Sequence, residues 1–181
     1  MTISRGPLLD LLRDDPLDAK LLLGRVARLR GAADCRPVDY RPVELLVIED
    51  NPGDVRLITE ALRDAGDRVS INVVKDGEEA MCFLRAEGSY RWAPQPDLIL
   101  LDLNLPGMDG RELLARFKEE ESLKRIPVIV LTSSQAPADV RKAYDLKASC
   151  YITKPAGLEQ FMEVIKSIHY FWSTIVELPR S

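Results

Sequence analysis

The chain has 181 residues, of which 46% are hydrophobic and 30% charged, enough for one domain with a full core and some decoration. A net charge of −4 gives no general pull toward nucleic acid or anionic lipid, and no basic patch interleaved with aromatics is present. The apolar runs are too short to span a membrane, and acidic residues break up the N-terminal leucines, which excludes a signal peptide.

Cys35, Cys82 and Cys150 are odd in number, widely spaced and without nearby histidines. That pattern fits reduced thiols in a cytoplasmic protein and argues against a disulfide framework or a zinc site. His169 is the only histidine, so histidine-based triads lack material.

Residues 1–42 form an extension with eight basic and six acidic residues, a net of +2, whereas the remainder has 17 against 23, a net of −6. Asp18 to Arg30 reads as a helix, with Leu22, Val26 and Leu29 on one stripe and Gly31 ending it. This arm is either a docking or dimerisation helix or a poorly ordered extension. From Val43 to Glu49 a strand follows. Asn51 then caps a helix that has Pro52 at its first position and Val55, Ile58 and Leu62 as its stripe, with Gly66 stopping it.

Val69 to Lys75 is a second strand, and Glu78 to Ala86 a short helix with Ala80, Met81 and Leu84 inward. A polar loop leads to Asp97–Asp102, where Leu98, Ile99, Leu100 and Leu101 form an unalternated apolar run, the mark of a strand buried on both faces. The turn Pro106-Gly107-Met108-Asp109-Gly110 precedes a helix from Arg111 to about Glu120, with Leu113, Leu114 and Phe117 on one side. Pro127 to Leu131 is a further strand. Pro137 opens a helix carrying Val140, Ala143 and Tyr144, and Cys150 to Thr153 is the last strand. The closing helix sets Leu158, Phe161, Ile165, Ile168 and Trp172 at near-ideal spacing.

Five strands alternating with five helices require right-handed crossovers and give a parallel sheet covered on both faces. The expected fold is therefore α/β, a doubly wound five-stranded parallel sheet in the flavodoxin-like order 2-1-3-4-5, with a helical N-terminal extension.

Ligands of such sheets bind beyond the carboxyl ends of the strands. The first strand ends in Glu49-Asp50, the third in Asp102, the fourth in Thr132-Ser133-Ser134 and the fifth in Lys154-Pro155. Taken alone, Asp102 is either a functional carboxylate or a helix-capping loop residue. Together, three carboxylates, a hydroxyl and an ammonium converge on one edge. Carboxylates so crowded cannot all stay ionised cheaply without a cation, and an all-oxygen donor set selects a hard ion such as Mg2+. A carboxylate beside such an ion can act as a nucleophile toward phosphorus, with Lys154 and the Thr132 hydroxyl meeting the phosphoryl oxygens.

These residues carry a resemblance. Glu49-Asp50, Asp102, Thr132 and Lys154-Pro155 on this alternation resemble the receiver domain of two-component response regulators, over about residues 43–173, with 174–181 as a tail. More narrowly, EDNPGDVRLI, LILLDLNLPGMDGRELL, IPVIVLTSS, CYITKP and FWSTIVELP resemble the small regulators that partner bacterial phytochromes. The resemblance implies that Asp102 accepts a phosphoryl group from the phosphohistidine of a sensor kinase and that the protein catalyses its own phosphotransfer and dephosphorylation. It further implies that Asp50 and Asp102 bind Mg2+ directly, Glu49 mainly through water, and Asn104 through its backbone carbonyl. Lys154 would pair with the phosphoryl group, Thr132 would bond it and move, and Tyr151 would turn inward as the switch aromatic. The Lys154–Pro155 peptide matches one usually found cis.

The tail after the last helix is too short for a DNA-binding or enzymatic output domain, so output is expected through protein–protein contact, dimerisation or onward phosphotransfer. Phe161, Tyr170, Phe171, Trp172 and Ile175 cannot all face one sheet, and those left over would form an apolar strip for a partner or a second subunit, giving a homodimer through the C-terminal helical region. The alternative for Trp172 and its neighbours is that they simply complete the core. A haloacid-dehalogenase-like phosphatase would want an acid where Asn104 stands. An FMN binder would want a hydroxyl- and glycine-rich loop in place of Glu49-Asp50-Asn51-Pro52. A pseudo-receiver that acts only as a binding or dimerisation module is the remaining alternative.

Overall fold

The computed structural model describes residues 41–63 and 69–179. The expected helix at 18–30, the stop at Gly66 and Cys35 lie outside them. Among the described residues the strands are β1 (Val43–Ile48), β2 (Val69–Val74), β3 (Leu98–Leu101), β4 (Val128–Thr132) and β5 (Cys150–Thr153), all parallel and ordered β2-β1-β3-β4-β5. The helices are α1 (Pro52–Arg63), α2 (Gly77–Leu84), α3 (Gly110–Glu119), α4 (Pro137–Asp145) and α5 (Leu158–Tyr170), the last running into a π-helical turn over Phe171–Ile175. The doubly wound arrangement expected from the alternation is what forms.

Side chains of successive strand residues leave the sheet on opposite faces, so each buried strand feeds two cores. Leu46, Ile48, Ile99, Leu101, Val128 and Val130 meet α2, α3 and α4 through residues such as Met81, Phe83, Leu113, Leu114, Phe117 and Ala143. Leu45, Val47, Leu98, Leu100, Ile129 and Leu131 meet Ile58, Ala61 and Leu62 of α1 and Phe161, Ile165 and Ile168 of α5.

Three details differ from the sequence expectation. Phe83, unmarked in the sequence, is the most buried residue near the end of α2, its ring packing against Tyr90 at 5.3 Å between centroids, while Leu84 packs partly buried against the same core. Tyr144 and Leu158 are exposed, the first on the outer side of α4 and the second at the opening residue of α5, ahead of the stripe that reaches the sheet. No peptide bond among the described residues is cis. Lys154–Pro155 is thus trans, the isomer an X–Pro bond prefers by about 0.5–1 kcal/mol.

Helix starts follow the chemistry of their first residues. Asn51 Oδ1 accepts from Gly53 N at 2.8 Å ahead of α1, and Asp76 and Asp109 cap α2 and α3. The turn before α3 needs two glycines for different reasons. Gly107 has φ +75°, which favours glycine. At Gly110 a Cβ would stand 2.5 Å from the Asp102 carbonyl oxygen and 2.6 Å from Leu103 Cα, so α3 begins pressed against the backbone that carries Asp102. Gly110→Ala is expected to destabilise the fold by about 1–3 kcal/mol, because backbone rather than a flexible side chain must move. Urea unfolding would read the loss.

Candidate phosphoryl-acceptor site

Strand register brings the site together. Ile48 pairs with Leu101, so Glu49 and Asp102, each one residue further on, leave the sheet side by side. Thr132 pairs with Thr153, which delivers Lys154 to the same edge, and Lys154 N donates to the Thr132 carbonyl at 2.7 Å. Strands of only four residues, β3 and β5, end just where polar chemistry is wanted.

At the centre lies the Lys154 ammonium, which donates to Asp102 Oδ2 at 2.6 Å, Glu49 Oε2 at 2.7 Å and Asp54 Oδ2 at 2.8 Å. Its three N–H groups thus have three carboxylate acceptors. The Glu49 and Asp102 side chains are 3% and 6% exposed and Lys154 is 10%, so these are buried charges whose pairing is required rather than optional. Burial pushes the Glu49 carboxyl above its ordinary range, with the Lys154 bond acting against that shift. Burial would by itself lower Lys154, but the hydrogen bonds it donates to Asp102, Asp54 and Glu49 outweigh that and hold the ammonium well above its usual value. Lys154 is charged throughout the physiological range.

The other Asp102 oxygen, Oδ1, accepts from Asn104 N at 3.0 Å. The Asn104 amide nitrogen lies 3.3 Å from Thr132 Oγ1 and 3.2 Å from Ser133 Oγ, which ties the β3–α3 loop to the end of β4. Thr132 is fully buried. Tyr151, half-buried on β5, donates its hydroxyl to the Ser134 carbonyl at 2.9 Å. Ser134 N in turn donates to Thr132 Oγ1 at 3.4 Å, so Ser134 links the buried Thr132 hydroxyl to Tyr151. Glu49 also turns its second oxygen back to accept from Asn51 N at 3.2 Å, while Asp50 is exposed.

The structure therefore gathers Glu49, Asp102, Asn104, Thr132 and Lys154 in one hydrogen-bonded network, with Asp50 next to it in sequence and Tyr151 at its margin. Among the described residues, no group of three or more acidic, His or Cys side chains closes on a common point as a ready cation cage. The middle of the carboxylate group is taken by Lys154 Nζ instead.

Asp54 was not foreseen. An acid in the first turn of a helix reads from sequence as a complement to the helix dipole, and only the tertiary placement of Lys154, 100 residues away, gives it a partner. A second unforeseen group braces the loop after β4: Arg111 on α3 bonds Asp139 on α4 at 2.6 Å and Asp109 at 2.9 Å, and Asp139 accepts from Ser134 Oγ. Arg111, and then Ser134, hold the Asp139 carboxyl below its usual range.

An acidic edge with a buried aspartate, a threonine and a lysine on a 2-1-3-4-5 parallel sheet marks the receiver class of α/β domain. Residues 45–166 match the response regulator receiver domain, and the chain belongs to that family of two-component signalling proteins. It is 44% identical over 138 residues to the response regulator Rcp1 of Synechocystis sp., a match that covers 76% of this chain and 94% of Rcp1. Among solved structures it resembles the phosphorylated cyanobacterial phytochrome response regulator RcpA, with 48% identity, a TM-score of 0.75, and coverage of 77% of this chain and 99% of RcpA. The Mn2+-bound form of Rcp1 superposes with a TM-score of 0.74 at 43% identity, covering 77% of this chain and all of that one.

Proposed function

We propose that this protein is a single-domain response regulator, with a receiver unit over residues 43–173 flanked by the extension 1–42 and the tail 174–181. A sensor histidine kinase of the phytochrome type, in the cytoplasm, would phosphorylate it on Asp102. The observation that carries this reading is the Asp102 carboxylate held by Lys154 Nζ at 2.6 Å at the end of a strand buried on both faces. The naming of Rcp1 and RcpA as regulators of this kind, and of RcpA as a phytochrome response regulator in phosphorylated form, supports the choice of kinase and of chemistry.

In the transfer, an Asp102 oxygen forms a bond to phosphorus as the phosphorus–nitrogen bond of phosphohistidine breaks. The electron pair returns to the imidazole, which leaves. Asn104 N and Lys154 hold the carboxylate in one orientation beforehand, so little reorganisation is needed. Negative charge then gathers on the phosphoryl oxygens. Lys154 re-aims one N–H from Asp102 to the new group, and the Thr132 hydroxyl leaves its Asn104 contact to bond it. Because Ser134 N also rests on Thr132 Oγ1 at 3.4 Å and Tyr151 on Ser134 O, that movement pulls the loop and the switch aromatic together.

Mg2+ would be held by oxygen ligands only, from Glu49, Asp50, Asp102 and the Asn104 carbonyl, and the three acids around Lys154 supply the negative charge that favours such a hard ion. When bound, the ion offsets the negative charge that phosphate brings to an acidic pocket. That Rcp1 has a Mn2+-bound form supports a divalent cation for this protein too. A pseudo-receiver that serves only as a binding module is the competing reading. Incubating the protein with Mg2+ and acetyl phosphate, then mapping the labelled peptide, separates the two. An adduct on the Asp102 peptide supports the acceptor, and its absence leaves the binding module.

Output would pass through contact with another protein. No helix among the described residues is long and apolar enough to cross a membrane, and nothing in the charge distribution recommends nucleic acid. Trp172 packs partly on the core formed with α1 and α5, whereas Phe171 is 39% exposed with its ring edge-on to Trp172. This leaves part of the C-terminal aromatic strip for a second subunit. A homodimer through this region is expected, seen as a doubled mass by light scattering at tens of micromolar protein. A monomer mass both with and without beryllofluoride would reject it.

A further inference from the structure

Lys154 has one more acceptor than a phosphoryl-binding lysine between two acids requires. Asp54 comes from the first turn of α1, not from a strand end, and its side chain is 25% exposed against 3% for Glu49. The ammonium is therefore gripped from two sides, by Glu49 from within the protein and by Asp54 from the mouth of the site. The third N–H points at Asp102. When phosphoryl transfer begins, an Asp102 oxygen is taken up in the bond to phosphorus, and the N–H that Lys154 gave it turns to the phosphoryl group. Asp54 is then the outer anchor that keeps Nζ over the reacting oxygen. Its own place is fixed, because Asp54 N lies 3.4 Å from the Asn51 cap and the helix N-terminus favours a carboxylate there. With Asp54 gone, the outer N–H would meet water, and the long lysine stem would be free to follow Glu49 inward, away from the phosphoryl group.

We infer that Asp54 is a positioning residue for phosphotransfer, holding the Lys154 ammonium from the solvent side so that it faces the phosphoryl group on Asp102. This rests on the phosphoacceptor reading above. It adds a residue that acts on the reaction only through Lys154.

The test compares wild type, Asp54→Asn and Asp54→Glu in the full-length chain. Asp54→Asn preserves shape and cap but is a weaker, uncharged acceptor. Its phosphorylation at saturating acetyl phosphate is expected to be about tenfold slower, a lost transition-state contact of modest size. The Mg2+ concentration for half-maximal rate is expected to stay within about twofold, since the loss lies in the step and not in cation binding. Asp54→Glu, which keeps the carboxylate, is expected to recover most of the rate. Separately, the exchange of the Lys154 ammonium protons, followed by proton–nitrogen NMR on unphosphorylated protein, is expected to be at least about fivefold faster in Asp54→Asn, because a charged hydrogen bond is gone.

Equal rates in wild type and Asp54→Asn would overturn the assignment. So would a rise in the Mg2+ requirement that accounts for the slower rate, a glutamate variant no faster than the asparagine one, or unchanged ammonium exchange. If wild type itself takes up no phosphoryl group, the acceptor reading falls, and the exchange measurement still decides whether Asp54 holds Lys154.

Discussion

Asp102→Asn is expected to form no measurable adduct with acetyl phosphate or beryllofluoride, while folding as well as wild type or slightly better. The amide oxygen is uncharged and a far weaker nucleophile than a carboxylate oxygen, so the group that attacks phosphorus is gone. The fold should bear the change easily. Asparagine keeps the shape, its oxygen can still accept from Asn104 N, and Lys154 retains Glu49 and Asp54. One of three carboxylates crowded about a single ammonium becomes neutral, which relieves like-charge repulsion in a buried place. A thermal melt without divalent cation should therefore show no loss of stability. Mass spectrometry of both proteins after identical incubation reads the adduct. An adduct of equal yield on the variant would move the acceptor to another residue. A large drop in melting temperature would mean instead that Asp102 serves mainly to hold the β3–α3 loop.

Asp102 was legible in the sequence because it breaks an apolar run. Four consecutive aliphatic residues leave no amphipathic explanation, and the acid that follows must sit at the edge of a buried strand. Glu49, Thr132 and Lys154 were found by the same device, the residue at which each strand stops. The register then does what periodicity cannot, setting Ile48 beside Leu101 and Thr132 beside Thr153 so that the ends align. Residues that reach the site from helices carry no such mark. Asp54 and Asp139 occupy first turns, where acids are commonplace, and their partners lie far along the chain. Asp97 was similarly missed. It reads as the first residue of a strand, yet its buried carboxylate accepts from Arg41 Nη2 at 2.7 Å and Glu44 N at 3.0 Å, and so fastens the foot of β1 to the foot of β3. Phe83 was missed beside Leu84 because two adjacent apolar residues fit one helical stripe almost equally well; both pack on the core, with the ring of Phe83 set against Tyr90.

Lys154→Met is expected to give the largest change in stability, and one that depends on pH. The methionine fills much of the space of the lysine stem, so the main loss is the charge that Glu49 and Asp102 face. Removing one partner from a buried ionic group costs about 3–5 kcal/mol. The pH dependence follows from the two shifts. Lys154 is held above its usual value, so its contribution in wild type is fully present below the ordinary lysine range and fades only as pH rises through the higher folded value. Between pH 5 and 8 it is therefore constant. Glu49 is also raised, by burial, so the folded state binds its proton more readily than the unfolded chain and gains stability as pH falls. Without Lys154 the two larger of the three effects that restrain this shift, its hydrogen bond and its charge, are absent, while burial, Asp102 and the weaker Asn51 N bond remain. The variant should be much less stable than wild type at pH 8 in EDTA, and the gap should narrow steadily toward pH 5 as Glu49 takes up a proton. Mg2+ at pH 8 should stabilise the variant more than the wild type, since the acids then have no internal cation to compete with the added one. Urea unfolding across this range, with and without Mg2+, measures both effects. A deficit that is the same at every pH and indifferent to Mg2+ would assign the loss to packing of the lysine stem, and would remove the ammonium from its place as the charge that holds the acidic edge together.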